Sequence, residues 1–446
     1  MPIKENMSSV TNQRGDMKDL TTEGVKNGES SHTPFRLTEK HFKNRSQPLK
    51  LPSLRLHRVL DLSRPDQVAD DEVWKAGWWS PENDTAGRVR RGKGKERERG
   101  ERPEVETEGL KLLRMNDGRI GWLVAPGCIL VPGYLDPAGQ LDLLRAALTR
   151  YTLPPNPLSL STHYALPNDL FQKYIEESTE VIQPLHELRS AGPDTRAVDT
   201  KATQTTRSTT SSRTTIETEP GAVVGYEEIL AKNKLGLVDQ PSDKLKPKRA
   251  EELMKEIRWA NLGWVYQWTT KAYDFTPDVP IPFPADLRDI CKDVVRSTPW
   301  DEVFETKGPE DYAAWEKDYG PDTGIVNFYQ LNDTLMAHVD RAELDPSRPL
   351  VSISLGHAAV FLLGSQSRYD PPRPIILRSG DVLIMSGKGR QFYHGVPRIL
   401  EGTLPAAFQI NDGDDVETKG IKRWISTARM NINARQVFPP GFKRPG

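Results

Sequence analysis

The sequence predicts an α+β protein in which helices precede a β-sandwich or jelly roll. From residue 325 onward, short apolar runs are broken by turns, and several of these runs alternate apolar with polar residues. Upstream of residue 300, apolar residues instead recur at intervals of three and four, which is the spacing of an amphipathic helix. We therefore place a β-rich core at residues 320–440, with flanking helices on its N-terminal side.

The N-terminal 105 residues are expected to be largely disordered, because they are mostly polar and lack periodic apolar positions. Residues 54–62 form a short apolar segment that is suited to docking on the folded part. Residues 88–104 carry charges of both signs. We interpret them as a solvated tether, and the alternative is a nuclear-import or nucleic-acid-contacting tail.

One helix has an explicit start in the sequence. Asp136 is a favoured N-cap residue, and Pro137 follows at the first helical position. The inner face of this helix consists of leucines at helical spacing, Leu141, Leu144 and Leu148. A buried strand is expected just before it, at residues 128–131.

The folded domain, which we place at residues 106–446, contains further helices and one insertion. Helices are expected at residues 170–181 and 284–295. Residues 190–222 are rich in Thr and Ser and cannot bury a core, which predicts a flexible insertion.

Composition excludes several classes of protein. A formal net charge of −1 predicts no strong overall attraction to nucleic acid, so any such binding must depend on local basic patches. Two cysteines, Cys128 and Cys291, do not make a disulfide scaffold and favour a reducing compartment. No apolar run is long enough to span a bilayer, and the N-terminus lacks a secretory signal. We expect a nuclear or cytoplasmic location, with a mitochondrial one left open.

Three residues have the chemistry of an iron site. His338 and Asp340 are two positions apart, so on a strand both side chains lie on one face. His394 follows a second strand-like run and could join them through the fold. Two imidazoles and one carboxylate hold ferrous iron in oxygen-activating enzymes and leave coordination positions free. A surface or satisfied histidine is the alternative for each, and we favour that alternative for His357.

Two arginines near the C-terminus suggest an anionic co-substrate. Arg429 and Arg435 are six positions apart and would share one face of a strand. Buried charges need partners, and 2-oxoglutarate offers two carboxylates. Asn327 and Tyr329, also two apart, could add hydrogen bonds to the same molecule. The alternative is a basic strand that faces solvent.

These motifs resemble those of the AlkB family of nucleic-acid dioxygenases, and the text around residues 331–345 is most similar to its first eukaryotic branch. The resemblance covers about residues 120–440. It implies a double-stranded β-helix (jelly-roll) core with a nucleotide-recognition lid at residues 255–280. It also implies that His338, Asp340 and His394 bind Fe(II). The residues implied to hold 2-oxoglutarate, with O2 as the second co-substrate, are Asn327, Tyr329, Arg429, Asn431 and Arg435.

The implied lid is rich in aromatic residues that could stack on an extruded base. The candidate substrate-contacting residues are Trp259, Trp264, Tyr266, Trp268 and Glu343. The alternative for the tryptophans is that they pack the core or the lid. Several family members place an acid two residues after the aspartate ligand, whereas this chain has Ala342 there and Glu343 next, so the choice of base is in doubt.

The resemblance implies oxidative demethylation of nucleic acid, either N6-methyladenine in DNA or 1-methyladenosine in tRNA. Succinate, CO2 and formaldehyde would be the products. We expect a monomer that acts on single-stranded, bubble or tRNA substrates and has no membrane partner. Two alternatives stay open: an oxygenase acting on a protein or small molecule, and a non-catalytic jelly-roll binding module.

Overall fold

The structure is a computed structural model that describes most of the folded chain. It covers residues 32–46, 49–63, 110–190, 225–235, 241–305, 307–340 and 342–443. The predicted mixed-charge tether, most of the predicted Thr/Ser-rich insertion and most of the N-terminal 105 residues lie outside these ranges.

The strands form two principal sheets and two short hairpins. In chain order the strands of the described residues are β1 (Lys111–Arg114), β2 (Ile120–Ala125), β3 (Cys128–Val131), β4 (Val181–Ile182), β5 (Lys248–Arg249), β6 (Trp259–Gly263), β7 (Tyr266–Gln267), β8 (Ala272–Tyr273), β9 (Thr323–Gln330), β10 (Leu335–His338), β11 (Leu350–Gly356), β12 (Ala359–Leu363), β13 (Arg373–Leu377), β14 (Val382–Met385), β15 (His394–Ile399) and β16 (Ala428–Arg435).

Across the described ranges, the larger sheet has eight strands in the order β1-β2-β3-β14-β11-β16-β9-β6, and the smaller has four in the order β10-β15-β12-β13. Neighbouring strands are antiparallel in both sheets. An apolar cluster that includes Leu383 and Met385 of the larger sheet and Phe361 and Val396 of the smaller one fills the space between them. This is the jelly-roll arrangement that the short C-terminal runs predicted.

The helices of the described residues pack mainly on the outer face of the larger sheet. They are α1 (Pro34–Lys43), α2 (Pro137–Thr149), α3 (Leu170–Ile175), α4 (Leu185–Ser190), α5 (Tyr226–Lys234), α6 (Ala250–Glu256), α7 (Ala285–Ser297), α8 (Trp300–Phe304), α9 (Trp315–Asp318) and α10 (Val416–Ile425). Short 3-10 helices lie at Leu51–His57, Tyr312–Ala314, Gly387–Gln391 and Ala406–Phe408. None of the described helices is long and apolar enough to cross a bilayer.

The predicted start of α2 is confirmed, because the Asp136 side chain accepts a hydrogen bond from the Gly139 amide at 2.7 Å. The helix predicted at residues 284–295 is also confirmed as α7. The helix predicted at 170–181 was too long. It ends at Ile175, and Glu177 has a positive φ of 54°, which turns the chain into strand β4.

The expectation of disorder was wrong for helix α1, whereas the segment at residues 54–62 docks on the folded part as expected, with Leu54, Val59, Leu60 and Leu62 buried in its apolar clusters. Helix α1 and the 3-10 helix after it lie on the outer face of the smaller sheet. Phe35 and Phe42 are buried there against Val360 and Leu362. A ten-residue helix has little stability of its own, so its order comes from this tertiary contact, which a local sequence pattern does not reveal.

The block at residues 255–280 was expected to form one lid and is divided instead. Strand β6 pairs with β9 and forms an edge of the larger sheet. The remaining hairpin of β7 and β8 is separate from that sheet. We call this hairpin, Tyr266–Tyr273, the aromatic hairpin, and it is the part of the block that remains a lid candidate.

We predict that Phe42→Ala lowers the free energy of unfolding by about 3 to 5 kcal/mol, because it removes a fully buried ring from the contact between α1 and the smaller sheet. Urea denaturation followed by circular dichroism measures this change. The control is Lys43→Ala at the exposed neighbouring position, which should change stability by less than about 0.5 kcal/mol. Equal stabilities for the two variants would mean that α1 does not contribute to the folded core.

The turn before β14 contains a buried carboxyl group. Gly380 has a φ of 86°, and Asp381 accepts hydrogen bonds from the amides of Gly133 (2.8 Å) and Arg378 (2.7 Å). Burial raises the pKa of Asp381 to about 6. The folded state therefore favours the protonated carboxyl, and this contribution is present at low pH and lost as the pH rises through 6.

We predict that the stability of the parent protein relative to Asp381→Asn falls by about 2 kcal/mol between pH 4.5 and pH 7.5, because only the parent carries the titrating group. Urea denaturation at the two pH values measures it. Asp142→Asn, at a side chain that is 75% exposed, is the control and should keep the pH dependence of the parent. A pH dependence unchanged by Asp381→Asn would contradict the prediction.

Candidate metal centre

The two histidines are brought together by strand pairing in the smaller sheet. His338 ends β10, His394 begins β15, and the two are directly opposite partners in the antiparallel register. Their ring centroids are 4.4 Å apart. Asp340 follows β10, and its carboxylate oxygens lie 3.8 Å from Nε2 of each histidine. One ligand atom from each of the three residues lies within 4.8 Å of the others, which suits a single ion.

Backbone hydrogen bonds orient both imidazoles toward the same point. Nδ1 of His338 lies 2.9 Å from the Met336 carbonyl oxygen, and Nδ1 of His394 lies 3.0 Å from that of Phe392. A carbonyl can only accept, so each Nδ1 carries the proton and donates it. Each Nε2 then keeps its lone pair, which is the form that binds a metal ion.

The electrostatic surroundings keep Asp340 and His394 in metal-binding form. Burial alone would raise the pKa of the Asp340 carboxyl, yet the positive charge of Arg435 holds it well below its usual range. Burial, with the neighbouring His338, lowers the pKa of His394 to about 4. Near neutral pH the site therefore offers a carboxylate and a neutral imidazole, as a divalent cation requires.

A pocket extends from these ligands between the two sheets, and Arg429 lies in its wall. Arg429 is buried and donates to the carbonyl oxygens of His357 (2.9 Å) and Leu377 (3.3 Å) and to Ser354 Oγ (2.7 Å). Among the described residues, none forms an ion pair with this guanidinium, and its Nε has no hydrogen-bond partner. Burial lowers its pKa to about 10. Asp381 acts on Arg429 only at longer range, and a buried cation without a carboxylate in direct contact fits an anionic ligand such as a carboxylate.

The other predicted co-substrate residues follow the strand register. Tyr329 lies directly opposite Arg429, and Asn327 directly opposite Asn431. Tyr329 and Asn431 line the pocket, whereas Asn327 is half-buried one strand from the edge and is not part of the lining. Asn431 donates to Ser352 Oγ at 2.9 Å.

Arg435 lies on the same strand face as Arg429 but has different partners from those expected. Its Nη1 is 2.9 Å from Asp340 Oδ2, and its Nε is 3.2 Å from Glu343 Oε1. It pairs with a metal-ligand candidate and a second acid of the chain, and it is not among the residues lining the pocket. The expected contact with 2-oxoglutarate therefore stays a prediction for Arg435.

The predicted substrate residues fall into an accessible group and a buried group. Trp268 is 44% exposed, and its ring lies 5.8 Å from that of Trp259 and 5.1 Å from that of Tyr266. Tyr266 is half-buried, and burial with the charge of Asp340 raises its pKa to about 12. These three aromatics lie on β6 and the aromatic hairpin, where a planar base could stack.

Trp264 and Glu343 are not available to a substrate. Trp264 is 5% exposed and packs edge-on against Phe275 and Phe438, so the core-packing alternative describes it. Glu343 is 1% exposed and lies among arginines. The expectation of substrate contact was wrong for both, because neighbouring sequence does not report the packing that covers a side chain.

Several residues near the site were not among the predicted ones. Asn433 lines the pocket, and its position four residues after Arg429 on one strand could have revealed it. Glu39 of α1 accepts a hydrogen bond from the Ala337 amide at 2.7 Å, next to His338, and no local sequence signal indicates this.

His357 is buried, with its ring nitrogens 3.3 Å and 2.8 Å from backbone carbonyl oxygens, as the favoured alternative predicted.

Comparison with known proteins connects this geometry to a family. The family model described as the 2OG-Fe(II) oxygenase superfamily matches residues 229–435, which include the three ligand candidates and both arginines. Three curated relatives are informative. The tRNA demethylase abh1 of Schizosaccharomyces pombe is 37% identical over 44% of this chain and 57% of its own length.

The other two relatives are named as demethylases of DNA and of RNA. The DNA N(6)-methyladenine demethylase ALKBH1A of Arabidopsis thaliana is 29% identical over 70% of this chain and 76% of its own length. The N6-methyladenosine RNA demethylase ALKBH of Cryphonectria parasitica is 30% identical over 43% of this chain and 81% of its own length. The chain spans about half the length of abh1 and of two further curated relatives, the nucleic acid dioxygenases ALKBH1 of Mus musculus and Homo sapiens.

We predict that His338→Ala and Asp340→Ala each lower the affinity for Mn(II), a redox-stable substitute for Fe(II), by about 100-fold or more, since each removes a ligand. Isothermal titration calorimetry measures the affinity. His32→Ala, at an exposed histidine of the N-terminal segment, is the control and should leave it unchanged. Tight binding by both ligand variants would show that the ion sits elsewhere.

Proposed function

This chain belongs to the AlkB type of the 2OG-Fe(II) oxygenase superfamily, and on that premise we propose that it oxidatively removes N-methyl groups from bases in nucleic acid. The observation that carries the proposal is that His338, Asp340 and His394 lie at one pocket with Arg429, whose guanidinium forms no ion pair with any described residue. A metal-ligand set and an anion anchor in the same cavity are what a 2-oxoglutarate oxygenase requires.

Each group of residues has a defined part in this activity. When bound, Fe(II) with 2-oxoglutarate and O2 supplies the oxidation that yields succinate, CO2 and, from the N-methyl group, formaldehyde. The two histidines and Asp340 hold the ion. Arg429 binds a co-substrate carboxylate in a buried place where water does not screen the charge. Tyr329 and Asn431 orient the co-substrate, and apolar side chains such as Leu383 exclude water.

The surroundings of the pocket favour a nucleobase as substrate. Trp259, Tyr266 and Trp268 form a partly exposed cluster of aromatic rings, and bases stack on such rings at about 1 to 3 kcal/mol each. Tyr273 of the aromatic hairpin donates a hydrogen bond to Glu343, which pairs with Arg435 beside Asp340. The named activities of the relatives are demethylation of tRNA, DNA and RNA, and two of the names specify a methyl group on N6 of adenine. We propose N6-methyladenine in DNA and 1-methyladenosine in tRNA as the first substrates to test, in single-stranded, bubble or tRNA form.

The deciding experiment incubates the full chain with Fe(II), 2-oxoglutarate and a panel of methylated oligonucleotides. Mass spectrometry of the nucleosides and assays of formaldehyde and succinate follow the reaction. We expect demethylation of at least one oligonucleotide, with one formaldehyde formed for each methyl group removed. The Asp340→Ala variant should demethylate no oligonucleotide. Arg429→Gln should raise the half-saturating concentration of 2-oxoglutarate at least tenfold, since a charge-assisted hydrogen-bond anchor is lost (roughly 1.5 to 3 kcal/mol).

Two outcomes would contradict the proposal. Turnover of a methylated peptide or small molecule, with every oligonucleotide unchanged, would make the chain an oxygenase of another substrate class. Absence of any 2-oxoglutarate consumption with every substrate, although the protein binds the metal ion, would favour the non-catalytic binding module.

A further inference from the structure

Glu343 is a buried acid held between two arginines. Its Oε2 lies 2.8 Å from Arg390 Nη2, and its Oε1 lies 3.2 Å from Arg435 Nε. Glu343 and Arg390 are each 1% exposed, and Arg435 is 4% exposed. A carboxylate in such a place is costly unless it is fully partnered, and breaking the set leaves an uncompensated charge. The position of Glu343 is therefore strongly constrained by its partners.

Arg435 connects Glu343 to the metal centre, because it contacts both Glu343 and the ligand candidate Asp340. Its Nη1 lies 2.9 Å from Oδ2 of Asp340, while its Nε faces Glu343. The contact between Nε and Glu343 is an ion pair without an aligned hydrogen bond, so Glu343 acts on Arg435 through charge. Because the guanidinium is planar and rigid, attracting its Nε side toward Glu343 also restricts where Nη1 lies beside Asp340. Oδ2 is engaged by Arg435, whereas Oδ1, which lies 3.8 Å from Nε2 of His338, has no arginine partner and would be the freer oxygen for a metal ion. Groups of this kind commonly determine how a ligand carboxylate is presented to a metal ion.

The aromatic hairpin is attached to the same acid. The hydroxyl of Tyr273, on β8, donates to Glu343 Oε1 at 2.9 Å, and the Tyr273 ring is fully buried. Tyr273 is paired with Tyr266 across the hairpin, and Tyr266 packs against the exposed Trp268. A continuous series of contacts therefore runs from the accessible aromatics to the metal ligand, through Tyr273, Glu343 and Arg435.

We propose that Glu343 and Tyr273 are positioning residues that set the orientation of Asp340 through Arg435 and tie it to the placement of the aromatic hairpin. The proposal rests on the proposed function, because it takes His338, Asp340 and His394 as the metal ligands. In this proposal Glu343 acts on the metal ligand Asp340 through Arg435, and it does not contact the base. The aromatic hairpin, which is the candidate binding site for the substrate, would then also help to hold the metal ligand Asp340 in place.

The test measures Mn(II) affinity by calorimetry and the visible absorption spectrum of the Co(II)-loaded protein, since the spectrum reports the ligand geometry and not the stability of the fold. Tyr273→Phe removes one hydroxyl and keeps the buried ring. We expect its Mn(II) affinity to fall about 3- to 10-fold and its Co(II) spectrum to shift. Glu343→Gln should lower the affinity about 10- to 100-fold.

Tyr312→Phe is the matched control, because its hydroxyl also donates to a carboxylate, that of Asp301 at 2.9 Å, away from the metal centre. It should keep the affinity and spectrum of the parent. If Glu343→Gln does not fold, Tyr273→Phe decides alone. A folded Tyr273→Phe protein with an affinity within twofold of the parent and an unchanged Co(II) spectrum overturns the inference. A parent protein that binds no Mn(II) would overturn the proposed function as well.

Discussion

The pairing of β10 with β15 is the contact on which the candidate site depends. It makes His338 and His394 direct partners across two antiparallel strands, although 56 residues separate them in the chain. Antiparallel register places opposite side chains on one face at close range, so a shift by one residue would turn one imidazole away. Asp340 can complete the set because it directly follows the same strand. The backbone hydrogen bonds of the smaller sheet therefore determine the spacing of the ligands.

Their neighbours give the two buried arginines, Arg429 and Arg435, different chemical characters. Arg429 is surrounded by carbonyl oxygens and a hydroxyl and has no carboxylate partner among the described residues, so it suits an external anion. Arg435 lies six residues along the same strand and is paired with Asp340 and Glu343. The difference lies in the neighbouring carboxylates. In a site of low dielectric, carboxylates beside a guanidinium neutralise its charge and repel a further anion.

The N-terminal helix supports the site from outside the segment that the family model matches, residues 229–435. Strand β10 is an edge strand of the smaller sheet, and its free side would leave backbone amides without partners. Glu39 of α1 accepts the hydrogen bond of the Ala337 amide, and Phe35 and Phe42 bury the outer face of the sheet. The strand that carries His338 is thus held on both sides.

The sequence by itself determined the parts of this protein that depend on local period and local chemistry. The period of two along β9, β10 and β16 placed Tyr329, His338 and Arg429 on definite strand faces, and the Asp136 cap marked a helix start. Only the tertiary structure decided the partners: the docking of α1, the burial of Trp264, and the pairing of Arg435 with Glu343. These contacts join residues far apart in the chain, and their energies come from burial and charge pairing, which a local pattern does not encode.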